Sequence, residues 1–586
     1  MVTVEALNEQ FEILGCSVKN EEALNKCIEL CIEFGKDEEQ FVEMWVAFSV
    51  SKFGNMDLTL EGLQQMERAE RVEQKKEKQA PKPATFIASS QLEIIDDDEI
   101  LQMYGVKTPV TPKTKRLRSP DFGSSGPENK LFAVESVSSL SPSTPSRSSI
   151  KSGPGKVLVS YGDKIKSWKN EKHVRVTINR TDDPHVPNCT GYMFDVITDA
   201  AAQRAVACMK LGKKVCKKWS KIQDDTLICT SDVKKVFQTN FVTWGRVRCD
   251  MQGKLNKVST ELEGIFPYRD VIGNMKIKSN VVPVDLSKVA EYSIFPGQIL
   301  AVEGTNITGN LLEAKNVFSN GYALPSDDPK LKNDINIMIA AGPFTTIDDL
   351  SYEPLINLLD RIKEEEPHIL ILIGPFVEYT HPQIGCVLNH RTCQDLFDKT
   401  IRTVMESLKG KCTQVVIVAS YRDAHHEPVY PTPQYYLPRS LQNPNLHSMP
   451  DPCMLNIDGL TIGISAVDIL KHLGNEELSS NSFRMGKLGR LANHILSQAC
   501  FYPLYPPAEE VNVDTYLWKT YAFMKQQPHI LILPSDMAYF CKPINGCVVV
   551  NPERLCKHSF ARIFIPSISN DQKWDQSRIS CEILKV

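Results

Sequence analysis

The sequence lacks the features of secreted, membrane-spanning and strongly nucleic-acid-binding chains. Its start, MVTVEALNEQFEILG, has neither the basic residues nor the continuous apolar core of a signal peptide. No apolar run approaches the roughly 20 residues that a membrane-spanning helix needs. Basic residues are not in excess, since 67 Lys and Arg against 71 Asp and Glu give a net charge of -4. Proteins that bind nucleic acid tightly by themselves usually carry a basic excess, because phosphate contacts supply much of the affinity.

The 17 cysteines follow no disulfide or zinc framework and include no C-x-x-C pair. Cys27 and Cys31 lie one helical turn apart, but two thiolates do not complete a tetrahedral zinc site. We therefore predict buried reduced thiols there, with a shared metal as the alternative. An odd number of cysteines without a framework is typical of the cytosol or nucleus.

Sequence motifs of common catalytic sites are also missing. The chain has no G-x-x-x-x-G-K-[ST] phosphate loop and no G-x-S-x-G nucleophile elbow. What it does have is length: 586 residues exceed a single core and suggest about three domains. Its 42% hydrophobic and 24% charged residues are ordinary for a globular protein.

Residues 1–78 are predicted to form a small all-α domain. Short apolar stripes recur at helical spacing, for example Leu24, Cys27 and Cys31, and each stripe stops at a glycine or a charged run. The pattern brings no cluster of ionisable groups together. We interpret this region as a protein-interaction domain.

Residues 79–155 are rich in Ser, Thr, Pro and Lys and show no sustained period, so a disordered linker is predicted. Its density of Ser/Thr-Pro pairs favours regulation by phosphorylation. The phosphorylation candidates are Thr108, Thr111, Ser119, Ser141 and Thr144. A short basic cluster is a candidate nuclear-import signal, which predicts nuclear localisation. It consists of Lys113, Lys115, Arg116 and Arg118.

Residues 160–325 are predicted to form an OB-type β-barrel. The segment NFVTWGRVRCDMQGKLNKVSTELEG alternates apolar and polar residues across a predicted turn at Gln252-Gly253, as a hairpin does. Gly245 interrupts the first strand, which indicates a bulge or tight bend. The lysine-rich stretch KLGKKVCKKWSK is predicted to be helical, and it presents either a solvated face or a phosphate-tracking patch.

Residues 330–586 are predicted to form an α/β domain. Continuous apolar runs such as INIMIAA and HILILIG are typical of strands buried on both faces, and helical patterns separate several of them. The motif PHILIL occurs at 367–372 and again at 528–533. We interpret the two copies as similar helix-to-strand connections.

Several segments of these two regions carry a family resemblance. They are AAGPFT (340–345), LIGPFVE (372–378), VASYRD (418–423), LPSDM (533–537) and NGCVVVNPERL (545–555), with FVTWGRVRCD and FPGQILAVEGTNITG in the barrel. The first five resemble the calcineurin-like phosphodiesterase domain of the B subunits of replicative DNA polymerases, and the last two resemble the OB domain that accompanies it. A helical domain followed by a phosphorylatable linker is similar to the layout of the polymerase α branch.

The resemblance implies an inactive phosphodiesterase domain. Active members hold two metal ions through carboxylate, imidazole and amide ligands at the ends of strands. Here Pro375 stands in the place of an aspartate and Arg422 in that of a histidine. We therefore expect no catalytic residue, metal or cofactor at this degenerate site. Its residues are Gly342, Pro343, Gly374, Pro375, Glu378, Tyr421, Arg422, Asp423, Ser535 and Asp536.

Other histidines offer one alternative. His425 and His426 follow the third strand and, with Asp423, could form a mononuclear metal site. His368 and His529 precede strands, at the opposite end from a site built at strand exits. His494 lies in a helical pattern, where packing explains it.

The resemblance also implies partners. The barrel and the phosphodiesterase-like domain are expected to bind the C-terminal zinc-binding domain of the polymerase α catalytic subunit, with primase subunits reached through the complex. The N-terminal domain is expected to recruit other replication factors, and direct nucleic-acid binding is expected to be weak at most. Two alternatives are a single-stranded nucleic-acid-binding protein, with Phe241, Trp244 and Phe266 as barrel aromatics, and an active phosphoesterase.

Overall fold

A computed structural model describes two parts of the chain. Its described residues are 11, 21–34, 41, 42, 45, 49, 62, 63, 66 and 67, then 155–165, 176–180, 186–187, 191–222, 228–251, 253–269, 275–387, 392–481, 485–569 and 571–586. Residues 79–154 of the predicted linker lie outside these ranges, with the phosphorylation candidates from Thr108 to Thr144 and the basic cluster Lys113, Lys115, Arg116 and Arg118.

The N-terminal part contains helix α1, Glu21–Phe34. Its buried side chains Leu24, Cys27 and Cys31 belong to one apolar cluster with residues further along the N-terminal region. Those residues are Phe11, Phe41, Val42, Trp45, Leu63 and Met66. The predicted helical stripes therefore do share a core. Burial raises the pKa of the Cys27 thiol to about 12, so this cysteine stays protonated at neutral pH.

The second part is built from seven further α-helices and 23 strands in the residues that the structure describes. The helices are α2 Ile197–Ile222, α3 Glu353–Glu365, α4 Ile384–Val387, α5 Cys393–Ser407, α6 Ile469–Glu476, α7 Gly486–Gln498 and α8 Thr515–Tyr521. The strands are β1 Val157–Tyr161, β2 Asn179–Arg180, β3 Cys229–Thr230, β4 Phe237–Cys249, β5 Thr260–Arg269, β6 Met275–Asp285, β7 Tyr292–Ile294, β8 Ile299–Asn306, β9 Leu312–Phe318, β10 Leu324–Pro325, β11 Ile335–Ala341, β12 Ile369–Ile373, β13 Gln414–Val418, β14 Leu446–Met449, β15 Cys453–Ile457, β16 Leu460–Ile464, β17 Leu478–Ser480, β18 Gln526–Gln527, β19 Ile530–Ile532, β20 Phe540–Ile544, β21 Cys547–Asn551, β22 Ser559–Ile565 and β23 Ser580–Lys585. None of the described helices has the length and apolar character needed to cross a bilayer.

The barrel is closed by five strands. The order β4-β5-β6-β9-β8 ends where it began, because β8 also pairs with β4. The predicted hairpin is present as β4 and β5, although residues 250–259 connect them. Gly245 marks no bulge: the register shift lies between Phe237 and Phe241. A Cβ on Gly245 would lie 2.4 Å from the carbonyl oxygen of Glu263, so close strand approach is what requires glycine there.

Helix α2 covers one side of the barrel and contains the lysine-rich stretch, as predicted. Its apolar residues Cys208, Leu211 and Val215 share a core cluster with Trp244 of β4. A Cβ on Gly212 would lie 2.1 Å from the Trp244 ring, so glycine allows the helix to pack closely against this indole. Cys216 of this helix lies beside Cys229 of β3, with the two Cα atoms 7.2 Å apart.

The larger domain has four layers. A seven-stranded sheet, β1-β23-β22-β11-β12-β13-β14, faces a six-stranded sheet, β2-β15-β16-β19-β21-β20. Ile337, Ile339 and Ile371 point into the core between the sheets, while Met338 and Leu370 face helices α3 and α5 outside. Helices α6, α7 and α8 cover the other sheet. The continuous apolar runs are explained because both faces of these strands are buried.

Two short segments correct the predicted barrel boundary at residue 160. Residues 157–161 form β1, which pairs with β23 at the edge of the seven-stranded sheet. Residues 179–180 form β2, which pairs with β15 of the six-stranded sheet. Both segments are too short and too irregular for a sequence pattern to assign them to a sheet. The chain thus contributes two strands to the larger domain before the barrel strands begin.

Candidate functional site

The degenerate site lies where several strands of the larger domain end. Parallel strands β11, β12 and β13 deliver Gly342, Gly374 and Ser420 to one edge. This edge is tightly packed: a Cβ on Gly342 would lie 2.0 Å from the carbonyl oxygen of Pro375. A Cβ on Gly374 would lie 2.3 Å from the hydroxyl of Tyr435. Glycine is therefore required at both positions by neighbouring atoms.

Arg554 holds this edge together, and the sequence reading did not single it out. Its side chain is 1% exposed, and its guanidinium pairs with Asp468 at 3.3 Å and with Asp536 at 3.1 Å. A further N–H donates to the carbonyl oxygen of Gly342 at 3.3 Å. Oδ2 of Asp468 also accepts from the backbone N–H of Asp536 at 2.7 Å. The available signal was the segment NPERL, which contains Arg554 directly after buried strand β21.

The charges around Asp536 favour its ionised form. Burial by itself raises the pKa of this carboxyl, but the positive charges of Arg554, Arg422 and Lys471 outweigh burial and lower that pKa below its usual range. The nearby Ser535 is fully buried, and its Oγ accepts from the backbone N–H of Met537 at 3.1 Å. Arginine and lysine thus surround the carboxylate at this strand end.

Arg422 forms a second ion pair on the same edge. Its Nη2 lies 2.7 Å from Oε2 of Glu378, whose side chain is 5% exposed. Burial lowers the pKa of Arg422, but the charges of Glu378 and Asp536 more than restore it, so the guanidinium stays charged. Two guanidinium groups, from Arg422 and Arg554, therefore compensate the acidic residues of this edge.

Asp423 is enclosed, with a side chain that is 0% exposed. Its Oδ1 accepts from the backbone N–H groups of Phe376 at 2.7 Å and Val377 at 2.6 Å, and its Oδ2 accepts from the hydroxyl of Tyr435. Burial raises the pKa of Asp423 to about 7, because it outweighs these hydrogen bonds, which by themselves lower that pKa. This carboxylate holds the loop after β12 and is not accessible to a partner.

The proposed histidine ligands are used in packing. The His425 ring stacks on Phe397 with centroids 4.3 Å apart, and its Nδ1 lies 3.8 Å from Oδ1 of Asp423. Burial and the neighbouring His426 lower the pKa of His425 to about 3. Nε2 of His426 lies 2.7 Å from the carbonyl oxygen of Pro433. No three His, Cys, Asp or Glu side chains converge as a metal site among the residues with described positions.

The remaining histidines have structural partners. Nδ1 of His368 accepts from the backbone N–H of Asn336, and Nδ1 of His529 accepts from that of Thr461. The two PHILIL copies thus use histidine in the same way, to bond the neighbouring strand. The second copy follows β18, so it is not the helix-to-strand connection that was predicted. His494 lies at the junction with the barrel, where it contacts Ser293 and Glu477.

The barrel aromatics named from the sequence do not form a common stacking surface. Phe241 is fully buried in the barrel core, and Trp244 is 4% exposed beneath α2. Phe266 is half-buried on β5. Two of the three rings named for the nucleic-acid-binding alternative are therefore buried and unavailable for stacking on bases.

Comparison with known proteins agrees with this architecture. The family model for the B subunit of DNA polymerases alpha and epsilon matches residues 337–542. Two further models, for the N-terminal region and the OB domain of the DNA polymerase alpha B subunit, match residues 5–72 and 206–320. The larger domain and the barrel are thus those of a polymerase B subunit.

Relatives that match nearly the whole chain identify the branch of the polymerase B-subunit family. The B subunits of DNA polymerase alpha from Mus musculus and Rattus norvegicus are 31% and 32% identical, over 96% of this chain and 96% of each relative. The Drosophila melanogaster protein of the same name is 30% identical over 99% of this chain and 100% of its own length. This chain belongs to the family of DNA polymerase alpha B subunits.

Proposed function

We propose that this chain is a non-catalytic scaffold subunit of DNA polymerase α–primase that binds the C-terminal zinc-binding domain of the catalytic subunit and supports primer synthesis. Its larger domain is a calcineurin-like phosphodiesterase fold that has lost its catalysis. The observation that carries this proposal is the pair of guanidinium groups at the strand ends. Arg554 and Arg422 already neutralise Asp468, Asp536 and Glu378, so a divalent cation bound there would meet two fixed positive charges.

A scaffold role is also supported by the junction between the barrel and the larger domain. Strand β7 pairs with β17 across the junction, and the Gln498 side chain exchanges two hydrogen bonds with the backbone of Ile299. Glu477 accepts from Ser293 of the barrel at 2.6 Å and from Arg490 at 2.7 Å. A junction with this many fixed contacts presents both domains to a partner as one surface.

The partner surface includes the exposed side of the degenerate site. Ile347 and Tyr379 are 70% and 52% exposed, and the backbone N–H of Tyr379 donates to the carbonyl oxygen of Arg422. Tyr436, next to the buried Tyr435, is 68% exposed. Among the charged residues of the degenerate site, Arg422 and Asp536 are partly exposed and available to a partner, whereas Asp423 is not.

Co-expression with the C-terminal domain of the polymerase α catalytic subunit tests the scaffold role. Size-exclusion chromatography should show a one-to-one complex that survives deletion of residues 1–150. The deletion keeps Gly155, whose N–H donates to the carbonyl oxygen of Lys585. Separate elution of two folded components would contradict the proposal. Ile347→Asp with Tyr379→Asp should weaken the complex, whereas Ile356→Asp, at a 45% exposed position on α3, serves as control.

The loss of catalysis needs a separate test. A nitrophenyl phosphodiester should not be hydrolysed above the buffer rate in the presence of manganese or other divalent cations. Manganese-dependent turnover that disappears in an Asp536→Asn variant would contradict an inactive site.

The N-terminal region completes the proposal. We propose that residues 1–78 recruit other replication factors, that the protein is nuclear through Lys113–Arg118, and that phosphorylation at Thr108, Thr111, Ser119, Ser141 or Thr144 alters this recruitment. Each phosphate adds about -1.5 to -2 charge, which is large for a short linker. Mass spectrometry of protein from dividing cells should find these sites modified, and an unmodified linker would contradict their regulatory role.

A further inference from the structure

Strands β5 and β6 continue beyond the barrel as a two-stranded ribbon. At its base, Leu262 and Val282 pair across the strands and are buried in the barrel core. Next along the ribbon, Gly264 pairs with Asn280, and a Cβ on Gly264 would lie 2.3 Å from the carbonyl oxygen of Ser231. Side chains alternate between the two faces along a strand. Every second residue beyond Gly264 and Asn280 therefore lies on the same face of the ribbon as Leu262 and Val282.

This outer face combines aromatic rings with lysines. Phe266 pairs with Lys278, and Tyr268 pairs with Lys276. Directly opposed residues of an antiparallel pair have Cβ atoms about 4.5–5.5 Å apart, so each ring has a lysine beside it. Tyr268 is 40% exposed, both lysines are exposed and Phe266 is half-buried. We call these four residues the ribbon surface.

The loop at the base of the ribbon adds further positive charge. Asp232 of this loop accepts from the side-chain amide of Asn280 at 2.8 Å, which fixes the loop against the ribbon. Two exposed lysines follow, and Nζ of Lys235 lies 5.3 Å from the centroid of the Phe237 ring. Although the whole chain carries a net charge of -4, the ribbon and this loop present lysines beside rings.

We propose that the ribbon surface binds single-stranded nucleic acid, with Tyr268 and Phe266 stacking on bases and Lys276 and Lys278 contacting phosphates. Rings interleaved with basic side chains are what a strand without base pairing requires, because its bases are open to stacking and its backbone is anionic. In OB-type barrels the face of the second and third strands binds oligonucleotides, and β5 and β6 are the second and third strands of this barrel. This activity is additional to the scaffold role and does not depend on the catalytic subunit.

The test is fluorescence anisotropy of the full chain with a labelled oligothymidylate, at several salt concentrations. Lys276→Glu with Lys278→Glu should weaken binding at least tenfold, and each lost phosphate contact should lower the salt slope by about 0.7. Tyr268→Ala should weaken binding about tenfold, within the range of a lost base-stacking contact. The matched control is Lys399→Glu with Arg402→Glu, which changes the charge equally at exposed positions on α5.

Four outcomes would overturn the proposal. The first is that the wild-type chain does not bind at about 50 mM salt, where phosphate contacts are strong. The second is that both double variants lose the same affinity, and the third is that Tyr268→Ala binds as tightly as the wild type. The fourth is that polyglutamate at equal charge displaces all of the oligonucleotide. The urea midpoint of each variant should match the wild type, since all the changed side chains lie at partly or fully exposed positions. If a lysine variant nevertheless unfolds, Tyr268→Ala decides the question.

Discussion

Two charged networks in this protein use the same residue types for different purposes. At the strand ends, Arg554 lies between Asp468 and Asp536 within one domain. At the junction, Arg490 and His494 converge on Glu477, which also accepts from Ser293 of the barrel. The first network lies at the proposed degenerate site, and the second joins two domains. A buried ion pair is thus no sign of function until its neighbours are known.

The largest effect is expected from removing the arginine of the strand-end network. Arg554→Met should lower the free energy of unfolding by about 3–5 kcal/mol, because it leaves the buried Asp468 without its counter-charge. Urea unfolding measures this loss. Lys363→Met removes an exposed ion pair with Asp360 and should change stability little. A near-neutral Arg554→Met would show that the ion pair with Asp468 contributes little to stability.

A smaller effect, of a different kind, is expected at the junction. Glu477→Gln should lower stability by about 1.5–3 kcal/mol, the range for hydrogen bonds to a charged group. Because Glu477 links Ser293 of the barrel to Arg490, unfolding followed by calorimetry should separate into two transitions. Ser293→Ala should give a weaker version of the same behaviour. One sharp transition at reduced temperature would show that the β7–β17 pairing alone couples the domains.

The pH dependence of stability should distinguish the two regions. Burial raises the pKa of Glu477, but Arg490, His494 and Ser293 outweigh it and lower this pKa to about 2. Its stabilisation is therefore present above pH 4.5 and is lost as the pH falls toward 2. Asp423 behaves oppositely: its pKa is raised to about 7, so its stabilisation is present below pH 3.8 and is lost as the pH rises through 7.

Urea midpoints measured between pH 4.5 and 8 test the pH dependence expected from Asp423. The wild type should lose stability relative to Asp423→Asn as the pH rises toward 7, and the two should run parallel above it. A constant difference across the range would show that Asp423 ionises normally despite its burial.

The smallest effect is expected at the solvent-exposed margin of the strand-end network. Lys471 lies 3.5 Å from Asp536 and is 49% exposed. Lys471→Ala should change stability by less than about 0.5 kcal/mol, because water screens exposed pairs. The same urea curves measure this change. If Lys471→Ala lowered the free energy of unfolding by more than about 1 kcal/mol, roughly a tenth of a typical domain's stability, Lys471 would belong to the buried network.

Sequence patterns predicted the elements whose burial is uniform or periodic. Strand β11 is apolar at nearly every position because both of its faces are covered, and the stripe of α1 is apolar because one face is covered. Short strands such as β2 escaped notice, since two residues carry no period. The approach of Cys216 to Cys229 depends on α2 and β3 both packing against β4, which no local sequence pattern contains.

Sequence motifs singled out individual residues of the candidate site but not the pairs that these residues form. Motif comparison located Pro375 and Arg422 because they stand in positions where another residue type was expected. Arg554 and Asp468 come from segments far apart in the chain, and their pairing depends on how α6 and the loop after β21 meet. The ribbon lysines escaped notice for the same reason, since only the strand register places them opposite Tyr268 and Phe266.

The order in which the seven-stranded sheet is assembled has a consequence for biosynthesis. Strand β11 pairs with β22, and β1 pairs with β23, which ends at Lys585. A growing chain therefore has β1 and one edge of β11 unpaired until the ribosome has translated residues 559–585. Such open edges can pair with other chains, so the nascent protein needs protection until its final strands emerge.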